Sequence, residues 1–276
     1  MSLNEGMLPR QPLDPTTYLE ELEWRGRGVL GTPNLDRSKA FRYREDGPAL
    51  QGALRERIAV GEKLSVLDIG VGNMEEPLSY LAHLYVEAAQ QGRSLADVVD
   101  VELVEVRPRE QIAMDASLGI NMFDQPIAPR DDVRDAFVQQ GHEFVFRPEI
   151  VELLAQTMDN PDKAHFATPV ETVMDSATTT YDVVACNNVL QHMGGVEGYA
   201  TPLKDKGRPE SDYQEYYRQV SRILESVKPG GTLIMHTDGI NVTDTKGMLT
   251  EQILNKVKLF SEFEKSDRGI FRRLPI

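Results

Sequence analysis

The stretch that most constrains the fold of this chain is residues 64–82, where a short apolar run is followed by glycines and then by a helical pattern. The run 64–69 is long enough for a buried strand, and Gly70 and Gly72 follow it directly. The spacing of apolar residues then predicts a helix from about Glu76 to Gln90. A strand, a tight glycine turn and a helix in this order bring backbone N–H groups up to a bound nucleotide-like ligand. The segment therefore predicts the first unit of an α/β fold with a ligand at its turn.

Further strand patterns alternate with helical ones along most of the chain. The other predicted strands are 98–106, one within 164–173, 181–187 and 232–236. The last stretch, 260–274, predicts a hairpin that turns at 267–269. This alternation predicts a doubly wound, mostly parallel sheet of the Rossmann-like kind with a C-terminal antiparallel hairpin. We expect one such domain over residues 34–276, with an irregular insertion at about 121–146, after an N-terminal arm and helix over 1–33.

Composition narrows the class of partner. The 276 residues are 40% hydrophobic and 27% charged, which is ordinary for a globular protein with a full core. The net charge of −14 opposes contact with phosphate backbones, so we expect no nucleic-acid partner. No apolar run reaches transmembrane length and the N-terminus lacks a signal-peptide pattern, so we expect no membrane partner and a cytoplasmic location. The single cysteine excludes an intramolecular disulfide, and the five histidines lack metal-ligand spacing, so we expect no metal. The sequence does not define the oligomeric state.

Acidic residues stand where the strands of the predicted sheet end, which is where such folds bind ligands. Glu105 closes the second predicted strand, at a position where an acidic residue commonly accepts hydrogen bonds from a ribose diol. Glu75 stands three residues after Gly72, where the dinucleotide-binding fingerprint has a glycine. A carboxylate there repels a pyrophosphate and attracts the ammonium of a methionine. These signs favour S-adenosyl-L-methionine over a nicotinamide dinucleotide.

Four short motifs resemble those of the CheR-type (chemotaxis-receptor glutamate) methyltransferases, a branch of the class I S-adenosylmethionine-dependent enzymes. After the glycine turn, the family has Glu-Glu-Pro and then Ser, which 75–77 and Ser79 match, and its later Cys-Arg-Asn-Val-Leu segment is matched by 186–190. Its Gly-Gly strand that ends in His-Ser-Glu is matched by 230–231 and 236–238. Its Asn-x-Thr segment, followed by an aromatic residue and Arg, is matched by 36–38 and 41–42. The similarity runs from about residue 34 to the end. It implies a methyltransferase domain that uses S-adenosyl-L-methionine.

The resemblance implies a role for each matched position at the methionine end of the cofactor. Arg42 would face the methionine carboxylate, with Asp36 and Ser38 lining the same pocket. Asp36 departs from the asparagine of the family. Glu75 would meet the ammonium group.

At the other end of the cofactor, the resemblance places Glu105 against the ribose hydroxyls. Asn187 and Asn188 would lie near the sulfonium. The adenine-contacting pair of the family has no clear match in 168–171. The implied cofactor-binding residues are therefore Asp36, Ser38, Arg42, Gly70, Gly72, Glu75, Glu105, Asn187 and Asn188.

Two departures from the family concern the methyl acceptor. Asn187 replaces an arginine and His192 replaces a tyrosine, and the segment ahead of Asp36 has no room for the family's N-terminal helical docking domain. Because a carboxylate acceptor benefits from a positive partner, the lost arginine weakens the case for a glutamate substrate. His192, with Asn187, is the candidate catalytic pair, as a general base for a hydroxyl or amine acceptor. The alternative is that His192 packs beneath the site as a helix-face residue.

The sequence therefore predicts an S-adenosylmethionine-dependent methyltransferase that acts on a small-molecule or protein acceptor. Three alternatives remain open. They are a protein-glutamate O-methyltransferase of the chemotaxis type, a non-catalytic S-adenosylmethionine-binding regulator and an NAD-dependent oxidoreductase.

Overall fold

The computed structural model describes residues 44–72, 74–109, 131–140, 143–176, 179–187, 189–190, 193, 200, 202, 207–236 and 248–275. The strands are β1 (Leu64–Ile69), β2 (Val99–Glu105), β3 (Phe137–Gln140), β4 (Glu143–Phe146), β5 (Ala164–Phe166), β6 (Tyr181–Ala185), β7 (Val227–Ile234), β8 (Phe263–Asp267) and β9 (Ile270–Arg273). The α-helices are α1 (Asp46–Ala59), α2 (Glu75–Gln90), α3 (Leu95–Val98), α4 (Pro148–Asp159), α5 (Val170–Ser176), α6 (Gln214–Glu225) and α7 (Met248–Leu254). Short 3-10 helices span Asp131–Ala136, Glu210–Tyr213 and Lys258–Glu262. None of the helices in these ranges combines the length and apolar character needed to cross a bilayer.

Seven strands form one sheet in the order β5-β2-β1-β6-β7-β9-β8. Strands β5, β2, β1, β6 and β7 are parallel, and β9 runs antiparallel to both β7 and β8. The chain winds outward from β1 in one direction through β2 and β5, and then in the other direction from β6. This is the predicted doubly wound, mostly parallel sheet with a C-terminal antiparallel hairpin. The reversal of strand order between β1 and β6 creates a crevice at the carboxyl ends of these strands.

Both faces of the sheet are covered by helices. Consecutive residues of β1 show this, because Val66 packs in one buried cluster with α1, α2 and α4, whereas Leu67 packs in a second cluster with α5 and α6. A strand that is buried on both faces consists almost entirely of apolar residues. The central strands could therefore be predicted from the sequence.

The opposite, amino-terminal edge of the sheet is tied together by Asp182, the second residue of β6. Its carboxylate accepts hydrogen bonds from the backbone N–H and hydroxyl of Ser65 in β1, at 2.9 and 2.7 Å. It also forms ion pairs with Arg57 of α1 and Lys228 of β7. Burial acts to raise the pKa of Asp182, but the bonds from Ser65, Arg57 and Lys228 outweigh it and hold the pKa below the usual value. The starts of β1, β6 and β7 are thus fixed relative to α1.

The structure differs from the predicted elements at β5 and β7. The stretch 164–173, expected to hold a strand, contains β5 in its first three residues, and the strand ends at Phe166 because Ala167 adopts a left-handed conformation (φ 55°) and α5 begins at Val170. Strand β7 begins at Val227, so the glycines expected to precede the strand lie inside it. Gly231 is required there because a Cβ atom would stand 2.9 Å from the Asp182 carbonyl oxygen.

The described part of the segment expected to be irregular, about 121–146, contains a 3-10 helix followed by the antiparallel hairpin β3–β4. The rings of Phe137 and Phe146 pack across this hairpin with centroids 4.6 Å apart. Its strands have four residues each, which is too short for an alternating pattern to stand out in the sequence.

Candidate functional site

The glycine turn lies at the carboxyl end of β1, beside the crevice. Gly70 and Gly72 both have positive φ, at 76° and 61°, a conformation that favours glycine. The Gly70 N–H donates to the Val104 carbonyl oxygen at 2.7 Å. A Cβ atom on Gly70 would overlap the Val189 side chain, which follows β6. The turn is therefore packed closely between the ends of β2 and β6.

Glu105 is the last residue of β2, and its carboxylate reaches this turn. The Gly72 N–H donates to Glu105 Oε2 at 3.0 Å. On the other oxygen, Oε1 accepts from the Arg107 backbone N–H at 3.0 Å and from Arg107 Nε at 3.2 Å. Glu105 is 5% exposed, whereas the Arg107 side chain is 29% exposed. Two residues singled out in the sequence, Gly72 and Glu105, are thus in direct contact, with a partly exposed guanidinium beside them.

The first turn of α2 brings two more acids to the site. Glu75 and Glu76 begin the helix directly after the glycine turn, and both are buried. The Ser79 hydroxyl donates to the Glu75 carbonyl oxygen at 2.6 Å, one turn earlier in the helix. Carboxylates near a helix N-terminus are stabilised by the positive end of the helix dipole. Glu75 therefore lies next to the turn, as the sequence analysis expected.

Asp68 is a site residue that the sequence analysis did not single out. It stands in β1, two residues before Gly70, and is only 1% exposed. Neither oxygen of its carboxyl group has a hydrogen-bond partner among the described residues. Burial raises the pKa of Asp68 to about 8, and the charges of Asp46 and Glu105 add to this effect. The available signal was an acidic residue inside an otherwise apolar strand, which costs free energy unless a ligand or partner uses it.

Asn187 follows β6 and is held from two sides. Its Oδ1 accepts a hydrogen bond from the His236 backbone N–H at 3.0 Å, and its Nδ2 donates to the Tyr80 hydroxyl. On the far side, His236 Nε2 lies 2.9 Å from Asp46 Oδ1. Burial raises the pKa of Asp46, while hydrogen bonds from His236 and Tyr80 act in the opposite direction. Tyr80 and Asp46 are also residues that the sequence analysis missed.

The described residues of this edge include the buried side chains of Asp68, Glu75, Glu76 and Glu105, of which Glu105 is paired with Arg107. The pKa of Cys186 is raised by burial and then by the charges of Asp68 and Glu76, so the thiol stays protonated. In the part of the chain that the structure describes, no group of three or more His, Cys, Asp or Glu side chains is arranged to hold a metal ion. An acidic crevice of this kind suits a ligand that carries positive charge.

The structure brings together five of the predicted site residues at one edge of the sheet, namely Gly70, Gly72, Glu75, Glu105 and Asn187. The others lie outside the described residues. These are Asp36, Ser38, Arg42, Asn188 and His192.

In the sheet, β9 lies between β7 and β8 and runs antiparallel to both of them. This strand order is that of the Rossmann-like methyltransferase fold. No protein-family model matches the sequence, and a search of curated proteins finds no match. Solved structures with a similar fold include three proteins. The first is an O-methyltransferase family protein from Burkholderia thailandensis, with 12% identity and a TM-score of 0.38 over 84% of this chain and 57% of that one. The second is monomeric WbdD, with 14% identity and a TM-score of 0.42 over 94% of this chain and 48% of that one. The third is the N-methyltransferase NodS from Bradyrhizobium japonicum WM9 in complex with S-adenosyl-L-homocysteine, with 12% identity and a TM-score of 0.35 over 95% of this chain and 99% of that one. The chain spans about half the length of the first two. At these identities the likeness concerns the fold alone.

Proposed function

We propose that this chain is an S-adenosylmethionine-dependent methyltransferase with a small-molecule or protein acceptor. The observation that carries the proposal is the contact between the buried Glu105 carboxylate and the Gly72 N–H. It joins the glycine turn and the end of β2 into one crevice, beside the switch in strand order. A ribose held by Glu105 would place the rest of a nucleoside-like cofactor along the turn.

The charges of the crevice fit this cofactor. S-adenosylmethionine carries a cationic ammonium and a cationic sulfonium, and the crevice offers the buried carboxylates of Glu75 and Glu105. Asp68 holds its proton up to about pH 8, so it adds no negative charge near neutral pH. A nicotinamide dinucleotide would instead bring a pyrophosphate against Glu75, where like charges repel. The signs of these charges therefore support S-adenosylmethionine over a nicotinamide dinucleotide.

When bound, S-adenosylmethionine supplies a methyl group that is already activated, so the protein contributes mainly binding and orientation. Glu105 would accept hydrogen bonds from the ribose hydroxyls, and these would replace its contacts with the partly exposed Arg107 side chain. Glu75 would attract the methionine ammonium at the start of α2. Asn187 would face the sulfonium end.

The remaining roles follow from the motifs alone. Arg42 would bind the methionine carboxylate in a pocket that Asp36 and Ser38 complete. Asn188 would add a contact near the sulfonium, and His192 would accept a proton from a hydroxyl or amine acceptor.

Methylation of a protein glutamate is a second candidate function, favoured by the match of Glu75-Glu76-Pro77 and Ser79 to the chemotaxis-receptor methyltransferases. The neutral amide of Asn187, held by Tyr80 and His236, offers no positive charge to a carboxylate acceptor. Base-labile methyl esters on a partner protein would identify this activity. Binding of S-adenosylmethionine without its consumption, across a broad panel of acceptors, would instead identify a regulator.

The test is calorimetric titration of the protein with S-adenosylhomocysteine. We expect the wild type to bind and Glu105→Ala to lose roughly tenfold or more in affinity, because a charge-assisted pair of hydrogen bonds is removed. Glu102→Ala is the matched control on the same strand, since Glu102 pairs with His165 and not with the turn. Its affinity should stay within about twofold of wild type. No heat with the wild type, or tighter binding of NAD than of S-adenosylhomocysteine, would refute the proposal.

A further inference from the structure

Four buried polar residues from different parts of the chain form a closed hydrogen-bonded circuit at the site, here called the polar ring. They are Asp46 at the start of α1, Tyr80 in α2, Asn187 after β6 and His236 after β7. Each is less than 5% exposed. Apolar side chains would fill such a space at lower cost, because every buried polar atom needs a partner. The ring lies instead at the carboxyl ends of β6 and β7, where this fold binds ligands.

One backbone group sets the direction of both hydrogen bonds of the Asn187 amide. The His236 backbone N–H can only donate, so the atom of Asn187 that faces it must be the amide oxygen. The amide nitrogen of Asn187 then faces Tyr80 and donates to its hydroxyl oxygen. The Tyr80 hydrogen is thereby left to donate onward to Asp46. The same carboxylate also bonds His236 Nε2, which closes the ring.

This arrangement fixes the Asn187 amide at both ends and leaves part of it for a ligand. The hydrogen bond from His236 uses one of the two lone pairs of Oδ1, and the bond to Tyr80 uses one of the two N–H groups of Nδ2. An amide held at both ends keeps a fixed dipole and needs no reorganisation when a ligand binds. The second lone pair of Oδ1 is partially negative and attracts a cation.

We propose that the polar ring positions Asn187 so that its amide oxygen stabilises the sulfonium of S-adenosylmethionine. This inference rests on the proposed function. Tyr80, Asp46 and His236 are then positioning residues, which act on the cofactor through Asn187. The spent product, S-adenosylhomocysteine, has an uncharged thioether at the same place and gains nothing from the oriented oxygen. The polar ring therefore favours the methyl donor over the product.

The experiment compares the dissociation constants of S-adenosylmethionine and S-adenosylhomocysteine in four proteins: wild type, Tyr80→Phe, Asn187→Ala and the double variant. Tyr80→Phe removes the hydroxyl group and keeps the aromatic side chain that fills the same space. We expect it to lower the ratio of donor affinity to product affinity by roughly fivefold to tenfold, the usual effect of one lost buried hydrogen bond. Asn187→Ala should lower the ratio by a similar factor, and the double variant should lower it no further, because both changes remove one coupled interaction.

Tyr85→Phe is the matched control, because Tyr85 lies on the same helix but contacts Arg147 rather than the polar ring. Its affinity ratio should match the wild type. If Tyr80→Phe does not fold, Asp46→Asn tests the same link with a side chain of equal size. Loss of thermal stability with an unchanged ratio, or additive effects in the double variant, would overturn the inference and leave the proposed function standing. If the wild type bound neither ligand, the proposed function and this inference would both fail.

Discussion

At the scale of single residues, Asp68 is a carboxyl group that the fold removes from water. Its pKa is about 8 in the native protein, against about 3.9 in an unfolded chain. Between these two pH values the native state binds more protons than the unfolded state, so the free energy of unfolding falls as pH rises. The stabilisation that comes from holding this proton is complete below about pH 4 and is lost as pH rises to about 8.

Replacing Asp68 by asparagine removes this dependence, because an amide of the same size does not ionise. We expect the stability that Asp68→Asn gains over the wild type to be about 4 kcal/mol larger at pH 8 than at pH 5, from about 1.4 kcal/mol for each pH unit between the two pKa values. Unfolding by urea at the two pH values measures the difference. Asp97→Asn, at an exposed position, should follow the wild type at both. Equal pH slopes for wild type and Asp68→Asn would show that Asp68 is ionised in the native protein.

At the scale of elements, the strand–turn–helix unit of β1 and α2 contains the sharpest geometric requirement. Gly70→Ala places a side chain at φ 76° and against Val189, so we expect a loss of about 2 kcal/mol or more in the free energy of unfolding. Gly52→Ala is the opposite case, because Gly52 lies inside α1 with open space around its Cα. It should gain about 0.5–1 kcal/mol. Denaturant unfolding of both variants provides the comparison, and a Gly70→Ala protein as stable as wild type would contradict the geometry described for the turn.

Elements with a strong local signal were the ones that could be predicted. β1, β2 and β6 are apolar runs bounded by turn residues, and the β8–β9 hairpin turns at Arg268 and Gly269 as its sequence indicated. The end of β5 could not be predicted, because nothing in the sequence reveals the left-handed conformation of Ala167. Local patterns carry the period of a strand or helix but no information on which loop conformation ends it.

Some residues of the candidate site could be predicted from the sequence, and others could not. Gly70, Gly72, Glu75 and Glu105 adjoin strand ends in the sequence, and the parallel sheet necessarily collects such residues at one edge. The polar ring could not be predicted, because its bonds join residues 107 and 190 positions apart in the chain. Contacts over such distances depend on how the helices pack on the sheet, and no periodic pattern encodes them.

At the scale of the whole molecule, the candidate site draws on both halves of the sheet. Glu105 and the glycine turn belong to the half that contains β1 and β2, whereas Asn187 and His236 follow β6 and β7 of the other half. A ligand held by both Glu105 and Asn187 would contact both halves of the sheet and would bind only the folded chain. By mass action, such a ligand stabilises the native state by about 2.7 kcal/mol when its concentration is one hundred times its dissociation constant.

We therefore expect S-adenosylmethionine at this concentration to raise the Tm of the wild type by about 5–10 °C in a single transition, as a chain of this length shifts about 2–4 °C per kcal/mol. The midpoint measured by differential scanning calorimetry tests this directly. Glu105→Ala at the same cofactor concentration should shift by no more than about 3–6 °C, because a tenfold loss of affinity reduces the stabilisation to about 1.4 kcal/mol. NAD at the same concentration should shift neither protein, since its pyrophosphate meets the Glu75 carboxylate. A shift by NAD that matched the shift by S-adenosylmethionine would mean that the acids of the crevice do not select the cofactor by charge.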